Sequence, residues 1–176
     1  MKILKRILVG LTVLLGLLLI VGLFLPSEFH VERRAEIAAP VDSVFKLVEN
    51  TNNLVQWNPW SELDPESKNE TSTPPTGVGA YWYWDGEIIG KGSMTLAALE
   101  SNKSLEYILR FDEPKMDPSD ILFKFSATAT GTEVVWINVG KLNYPIGRYF
   151  GLMMDSMLGS DFEKGLANLK AMAEKR

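Results

Sequence analysis

An α+β domain carried behind one transmembrane helix is the fold class that the sequence predicts. Three observations predict it. Residues 7–25 form an uncharged apolar run, apolar and polar side chains alternate in twos from about residue 80 to residue 138, and a helical period takes over after Pro145. Strands joined by short turns are antiparallel. The middle of the chain is therefore an antiparallel sheet and its end one long helix.

Ile7 to Leu25 is 19 residues without a charge, and Thr12 is the only polar side chain among them. As a helix this run is about 28 Å long, close to the hydrocarbon thickness of a bilayer. A cleaved signal peptide is the alternative, but its apolar region is usually about 7–15 residues and ends at a pair of small residues. Here the run ends Val21-Gly22-Leu23-Phe24-Leu25-Pro26, which has no such pair. Residues 1–26 are expected to be an uncleaved single-pass anchor. Lys2, Lys5 and Arg6 precede it, so the positive-inside rule puts the N-terminus in the cytoplasm and residues 27–176 outside it. Gly10, Gly16 and Gly22 are six apart, fall on different faces and make no small-residue dimer seam.

Phe29–Ala38 reads as a first strand with Val31, Arg33, Ala35 and Ile37 on one parity. Pro40 then opens a helix whose Val41, Val44, Phe45 and Val48 share a face. Asn50–Asn53 are expected to break it, and a second short helix near Leu54–Trp57 is expected to stop at Pro59. Asp64–Gly79 is rich in turn formers and reads as loop, with a short edge strand near Lys68–Ser72.

Tyr81-Trp82-Tyr83-Trp84 is an extended segment, and Asp85-Gly86 is the expected hairpin turn. In the next strand, Glu87–Leu99, Ile88, Met94, Leu96 and Ala98 share a parity. Leu105, Tyr107, Leu109 and Phe111 alternate in a further strand, and Pro114 and Pro118 bracket a loop. Ile121, Phe123, Phe125 and Ala127 alternate next; after a turn at Thr130-Gly131, Val134, Trp136 and Asn138 share a face. In the terminal helix Phe150, Met154, Leu158, Phe162, Leu166, Leu169 and Ala173 form an apolar stripe in steps of three and four. Gly159 is expected to bend that helix, and Lys170, Lys175 and Arg176 to complement its negative end.

Charge narrows the function. Three of the 18 basic residues and none of the 22 acidic ones lie in residues 1–26, so residues 27–176 carry 15 against 22, a net charge of −7. A nucleic-acid binder needs a basic footprint, so that class is excluded. With no cysteine there is no disulfide, thiolate metal site or thiol nucleophile, and with one histidine no His-rich metal centre.

The order of elements resembles the helix-grip fold of the START-like or SRPBCC superfamily, and within it the bacterial polyketide cyclase/dehydrase-like proteins. The matching pieces are Ile37-Ala38-Ala39-Pro40 before the first helix, Trp57-Asn58-Pro59-Trp60 after it, Gly77-Val78-Gly79-Ala80 leading to Trp84, and Gly90-Lys91-Gly92. The turn and strand Gly131-Thr132-Glu133-Val134-Val135-Trp136 and the helix Asp161–Lys170 complete the series. The resemblance covers about residues 29–174. It implies a curved antiparallel sheet wrapped around the C-terminal helix, with a cavity between them. The superfamily includes lipid carriers, ligand-binding domains and enzymes, so fold alone does not fix function.

A cavity of that kind takes a small apolar or amphiphilic molecule, held by an apolar lining and a few polar groups. Trp84, Met94, Trp136, Phe150, Met154 and Met157 are the expected lining, with Asn138 as its polar group and Trp57 and Trp60 at the mouth. The plainer reading is that these side chains fill the core.

Catalytic readings find less support. His30 is the single histidine, five residues beyond the apolar run, so no Ser/His/Asp triad reaches a pocket. A carboxylate among Asp85, Glu87, Glu106, Asp112 and Asp155 could serve as a base, with Tyr107 or Tyr144 polarising a carbonyl, but spacing selects none of them. Gly90-Lys91-Gly92 lacks the rest of a phosphate loop, and Asp117 with Asp120 do not make a calcium site. No catalytic residue, metal ligand or cofactor is assigned. An enzyme of the cyclase/dehydrase type and an interaction module with a filled core remain the alternatives.

Overall fold

The structure is a computed structural model that describes residues 2–175. Arg176, expected at the negative end of the last helix, lies outside the described residues. An N-terminal helix α1 (Lys2–Phe24) leads into β1 (Glu28–Ile37), three short helices α2 (Val41–Glu49), α3 (Thr51–Trp57) and α4 (Pro59–Leu63), and the edge strand β2 (Lys68–Thr71). Strands β3 (Tyr81–Gly86), β4 (Gly90–Glu100), β5 (Ser104–Glu113), β6 (Ser119–Ala127) and β7 (Thr132–Lys141) follow, then α5 (Ile146–Glu174). The seven strands form one antiparallel sheet in the order β1-β7-β6-β5-β4-β3-β2. Register shifts in β4, at Lys91/Gly92 and Leu96/Ala98, bend the strand as bulges do. The curved sheet grips α5 on its inner face, which is the helix-grip architecture.

Alternation explains the inner face. Val31 and Ile37, Trp82 and Trp84, Met94 and Leu96, Leu105, Tyr107 and Leu109, Ile121, Phe123 and Phe125, and Val134 and Trp136 are all buried at two-residue spacing. Beyond the Leu96/Ala98 bulge the alternation fails, so Ala98 is exposed. From α2, Val44, Phe45, Leu47 and Val48 close over the sheet.

The short helices differ from expectation. Asn50 does not merely end α2; its side chain accepts the amide of Asn52 at 3.0 Å and caps α3, so Thr51–Asn53 are helical. Pro59 stops α3 but starts α4, where its missing N–H costs nothing, and Asn58 caps α4 through the amide of Trp60 at 3.1 Å. The hairpin also differs. Asp85 and Gly86 are paired strand residues opposite Lys91 and Gly90, and the turn is Glu87–Ile89. Gly90, at φ +68°, supplies the left-handed residue that closes a three-residue turn. Ile88 is therefore exposed at the tip rather than sharing a face with Met94.

In α5, Phe162, Leu166, Leu169 and Ala173 are buried against the sheet, but Phe150 is exposed and Met154 and Leu158 only half-buried. A step of four residues overshoots a full turn by about 40°. Three successive steps of four, from Phe150 to Phe162, rotate the stripe by about 120°. At Gly159 the contact made is with Arg33 of β1, whose guanidinium occupies the space a side chain there would need. Lys170 serves as a tie rather than a free terminal charge: its Nζ donates to the Glu36 carbonyl at 2.8 Å.

Candidate functional site

Between the distal half of α5 and the sheet the interior is filled. The Trp136 ring stacks on Phe162 at 4.2 Å and 7°, and Trp57 meets Trp136 edge-on at 5.6 Å. Trp57 donates its indole N–H to the Leu47 carbonyl at 3.2 Å, and Tyr107 donates its hydroxyl to the Val48 carbonyl at 2.8 Å. Burial, then the Glu49 charge, pushes the Tyr107 hydroxyl well above the ordinary phenol range, so it stays a protonated donor.

A cavity of about 240 Å3 opens further along the sheet, lined by Trp60 and Leu63 of α4, Trp82 and Trp84 of β3, Ile88 and Ile89 of the turn, and Phe111 of β5. Local sequence places each wall. Two-residue spacing puts Trp82 and Trp84 on the inner face, their rings 4.8 Å apart, and Phe111 meets Trp84 edge-on at 5.7 Å. Gly92 lies beneath the Trp84 ring, where any side chain would strike it. The buried Asp64 accepts the amides of Ile88 at 2.8 Å and Ile89 at 3.4 Å, which holds the turn against the end of α4. Gly86 leaves room for that carboxylate.

Two of the three indole N–H groups of this lining are directed elsewhere. Trp60 donates its indole N–H to Asp161 at 3.1 Å and Trp82 to Asn69 at 2.7 Å. The cavity is thus an apolar slot with Leu63 and Ile88 exposed at its mouth. Lys91 lies between Asp85 at 3.6 Å and Glu113 at 3.5 Å, and these two charges raise its pKa. It ties strand ends together.

Of the nine residues expected at the site, the structure brings Trp60 and Trp84 to this cavity. Trp57, Met94 and Trp136 are buried in the packed core. Asn138 is buried on the inner face of β7, and its side-chain oxygen has no hydrogen-bond partner. Met154 borders a separate cleft of about 140 Å3 with Phe29, His30, Leu142, Arg148 and Asp155. Phe150 and Met157 are exposed on α5, because they lie about 120° and 140° around the helix from Phe162. Sequence reasoning missed Leu63, Trp82, Ile88, Ile89 and Phe111. Trp82 shares the parity of Trp84 and is the findable one; the α4 side depends on a helix that begins at Pro59, where the sequence marks only the stop of the short helix before it.

Of the groups considered for acid–base chemistry, Glu87, Glu106 and Asp112 lie exposed on the surface, and Asp85, Asp155, Tyr107 and Tyr144 are engaged in structure. Asp155 and Glu163 both pair with Arg33, each at 2.8 Å, and the hydrogen bond from Arg33 holds the Asp155 carboxyl below its usual range. Tyr144 donates to the Leu19 carbonyl at 2.9 Å, and His30 lies exposed, 3.4 Å from Glu32. Among the described residues no cluster of His, Asp and Glu is placed to hold a metal ion.

The fold recurs in solved structures. A protein of Staphylococcus aureus, SA2116, superimposes with a TM-score of 0.64 at 13% identity over 84% of this chain and 94% of its own. A Rhizobium leguminosarum protein gives 0.61 at 17% over 85% and 96%, and MLL2253 of Mesorhizobium loti 0.57 at 19% over 81% and 97%. At these identities the likeness is one of fold. No curated protein matches the chain significantly. The family model described as polyketide cyclase / dehydrase and lipid transport matches residues 28–174, from the first strand through the terminal helix, and this chain belongs to that family.

Proposed function

We propose that the domain binds a small apolar or amphiphilic molecule without covalent chemistry, in the slot between α4 and the β3–β4 turn, and that α1 anchors it to the cell membrane. The observation that carries the reading is the wall of the slot: seven apolar or aromatic residues, with two of its three indole N–H groups, those of Trp60 and Trp82, bonded away from it. An apolar cavity of about 150 Å3 accepts a benzene ring. The slot suits a slightly larger group, such as a short acyl or isoprenoid segment or a fused aromatic pair. Burying about 300 Å2 of apolar surface gains roughly 7 kcal/mol, part of which lost freedom offsets, so micromolar affinity is expected.

The anchor reading rests on α1, a helix of 23 residues with mean hydropathy 2.9 over its most apolar window. Its last turns also carry specific contacts with the domain, which an uncleaved segment explains. The Tyr144 and Tyr149 hydroxyls donate to the carbonyls of Leu19 and Leu18, and Arg148 donates to those of Gly22 and Leu23, each at 3.1 Å. Lys2, Lys5 and Arg6, in the first turns of α1 ahead of its apolar run, favour an N-terminus in the cytoplasm and a domain outside it.

Three of the five tryptophans border the slot, so the full chain in detergent reports occupancy through its own fluorescence. Titration with fatty acids, isoprenoids and fused aromatic compounds should change that emission, and Trp84→Phe should reduce the change. Ile89→Trp fills the slot and should weaken binding tenfold or more, a loss of about 1.4 kcal/mol. Equal affinity in a folded Ile89→Trp chain, or no binding of any of these compounds at about 100 μM, overturns the reading. For orientation, a cysteine at Asn102 should react with a membrane-impermeant reagent in intact cells, or in spheroplasts where there is an outer membrane.

A further inference from the structure

The first three turns of α5 carry an apolar stripe that nothing in the domain covers. Ile146, Phe150, Met153 and Met157 are 68%, 55%, 53% and 52% exposed. Their spacing of four, three and four puts them on one line of the helix, about 16 Å long. Lys164 continues the same line, so the apolar character stops where the grip of the sheet begins. Four large apolar side chains aligned and exposed in this way mark a contact surface rather than scattered surface residues.

The position of the stripe identifies the occupant. Tyr144, Arg148 and Tyr149, on the first turns of α5 and just before it, bond to α1 carbonyls between Leu18 and Leu23. These span the last two turns of the apolar helix, so the start of α5 is pinned at the depth where α1 leaves hydrocarbon. Tyrosine is enriched at that depth, and an arginine there meets the negative end of the α1 dipole. Arg148 also lies over the Tyr144 ring at 5.6 Å. A helix held at this level with one apolar face is an interfacial helix.

We infer that the first three turns of α5 lie in the interfacial layer of the bilayer that α1 enters, with Ile146, Phe150, Met153 and Met157 turned to lipid. This rests on the reading of α1 as a membrane anchor. Docking would also orient the slot. Strand register puts Glu28, Lys141, Ser119, Glu113, Lys91 and Asp85 at one rim of the sheet, the rim that bears both the α1 junction and the β3–β4 turn. The slot then opens on the membrane side of the domain, where a molecule leaving the bilayer would meet it.

The chain has no cysteine, so single labels are clean. The full chain carrying Met153→Cys, Met157→Cys, Leu14→Cys or Asn102→Cys is labelled with an environment-sensitive fluorophore and reconstituted in phosphatidylcholine vesicles. Some vesicles contain lipids with a nitroxide at a shallow or a deep chain position. The labels at 153 and 157 should be quenched by the shallow nitroxide about threefold more than the label at 102, matching burial of about 5–10 Å, while the label at 14 is quenched best by the deep one. Quenching at 14 with 153 and 157 behaving like 102 overturns the inference and leaves the anchor standing. No quenching at 14 removes the anchor, and the inference with it. Labels at 153 and 157 that are shielded from lipid and transfer energy between copies would assign the stripe to a second copy of the chain instead. All four positions are exposed or on α1; Asn102 has a left-handed backbone (φ +59°), so its cysteine variant must first show the unfolding curve of the native chain.

Discussion

Trp60 and Asp161 are 101 residues apart in sequence, and the indole N–H of one donates to the carboxylate of the other at 3.1 Å. This bond joins the wall of the slot to the helix that the sheet grips. Glu62 reinforces it, pairing with Lys164 and accepting from Asn168, each at 2.6 Å. Helix α4 has five residues and no stability of its own at that length. Its place, and so the slot, depends on these side chains.

Trp60→Phe keeps an aromatic ring but removes the donor. Unfolding in urea should show a loss of about 1 kcal/mol, the usual worth of such a bond. Ligand affinity should fall with it, as the wall loosens. An unchanged stability and affinity would mean that the bond does not position α4.

The two faces of α5 should respond oppositely to truncation. Leu166→Ala removes a buried side chain and should cost about 2–5 kcal/mol. Phe150→Ala, in detergent, should change stability by less than about 0.5 kcal/mol, the surface range. Similar losses at both positions would contradict the exposure of Phe150.

Gly159 and Arg33 should be coupled. An alanine in a helix interior normally gains about 1 kcal/mol over glycine. At 159 its methyl group takes the space of the Arg33 guanidinium and breaks the pairs with Asp155 and Glu163. Gly159→Ala should therefore be more favourable in an Arg33→Ala background than in the native chain, measured as a double-mutant cycle. Additive effects would show that Arg33 adapts without loss.

Asp155 predicts a pH dependence. Its carboxyl titrates lower in the folded chain than unfolded, because Arg33 hydrogen-bonds its charged form. The stabilisation is present above the ordinary carboxylate pKa of about 4 and is lost as pH falls through the lowered folded value. The stability difference between the native chain and Asp155→Asn should shrink on acidification across that window. A difference independent of pH there would show that the charge of Asp155 contributes nothing.

What the sequence determined by itself was whatever depends on local period and composition. Two-residue alternation in β3, β5, β6 and β7 dictates which side chains face inward, since neighbouring strand residues point to opposite faces, but it misplaces Ile88 at the β3–β4 turn and Ala98 beyond the β4 bulge. An uncharged run of 19 residues dictates a membrane-length helix. Steps of three and four after Pro145 dictate α5, although a run of fours cannot say which end of the stripe stays buried. Tertiary structure alone decided where the interior is full and where it is open. Trp136 and Trp84 look equivalent as strand tryptophans; one stacks on Phe162, and the other borders a slot. The difference comes from side chains far apart in sequence: Asp161 and Lys164 holding α4, and Asp64 holding the turn of Ile88 and Ile89. Such bonds leave no period in the sequence, because each needs only one polar residue in place once the chain has folded.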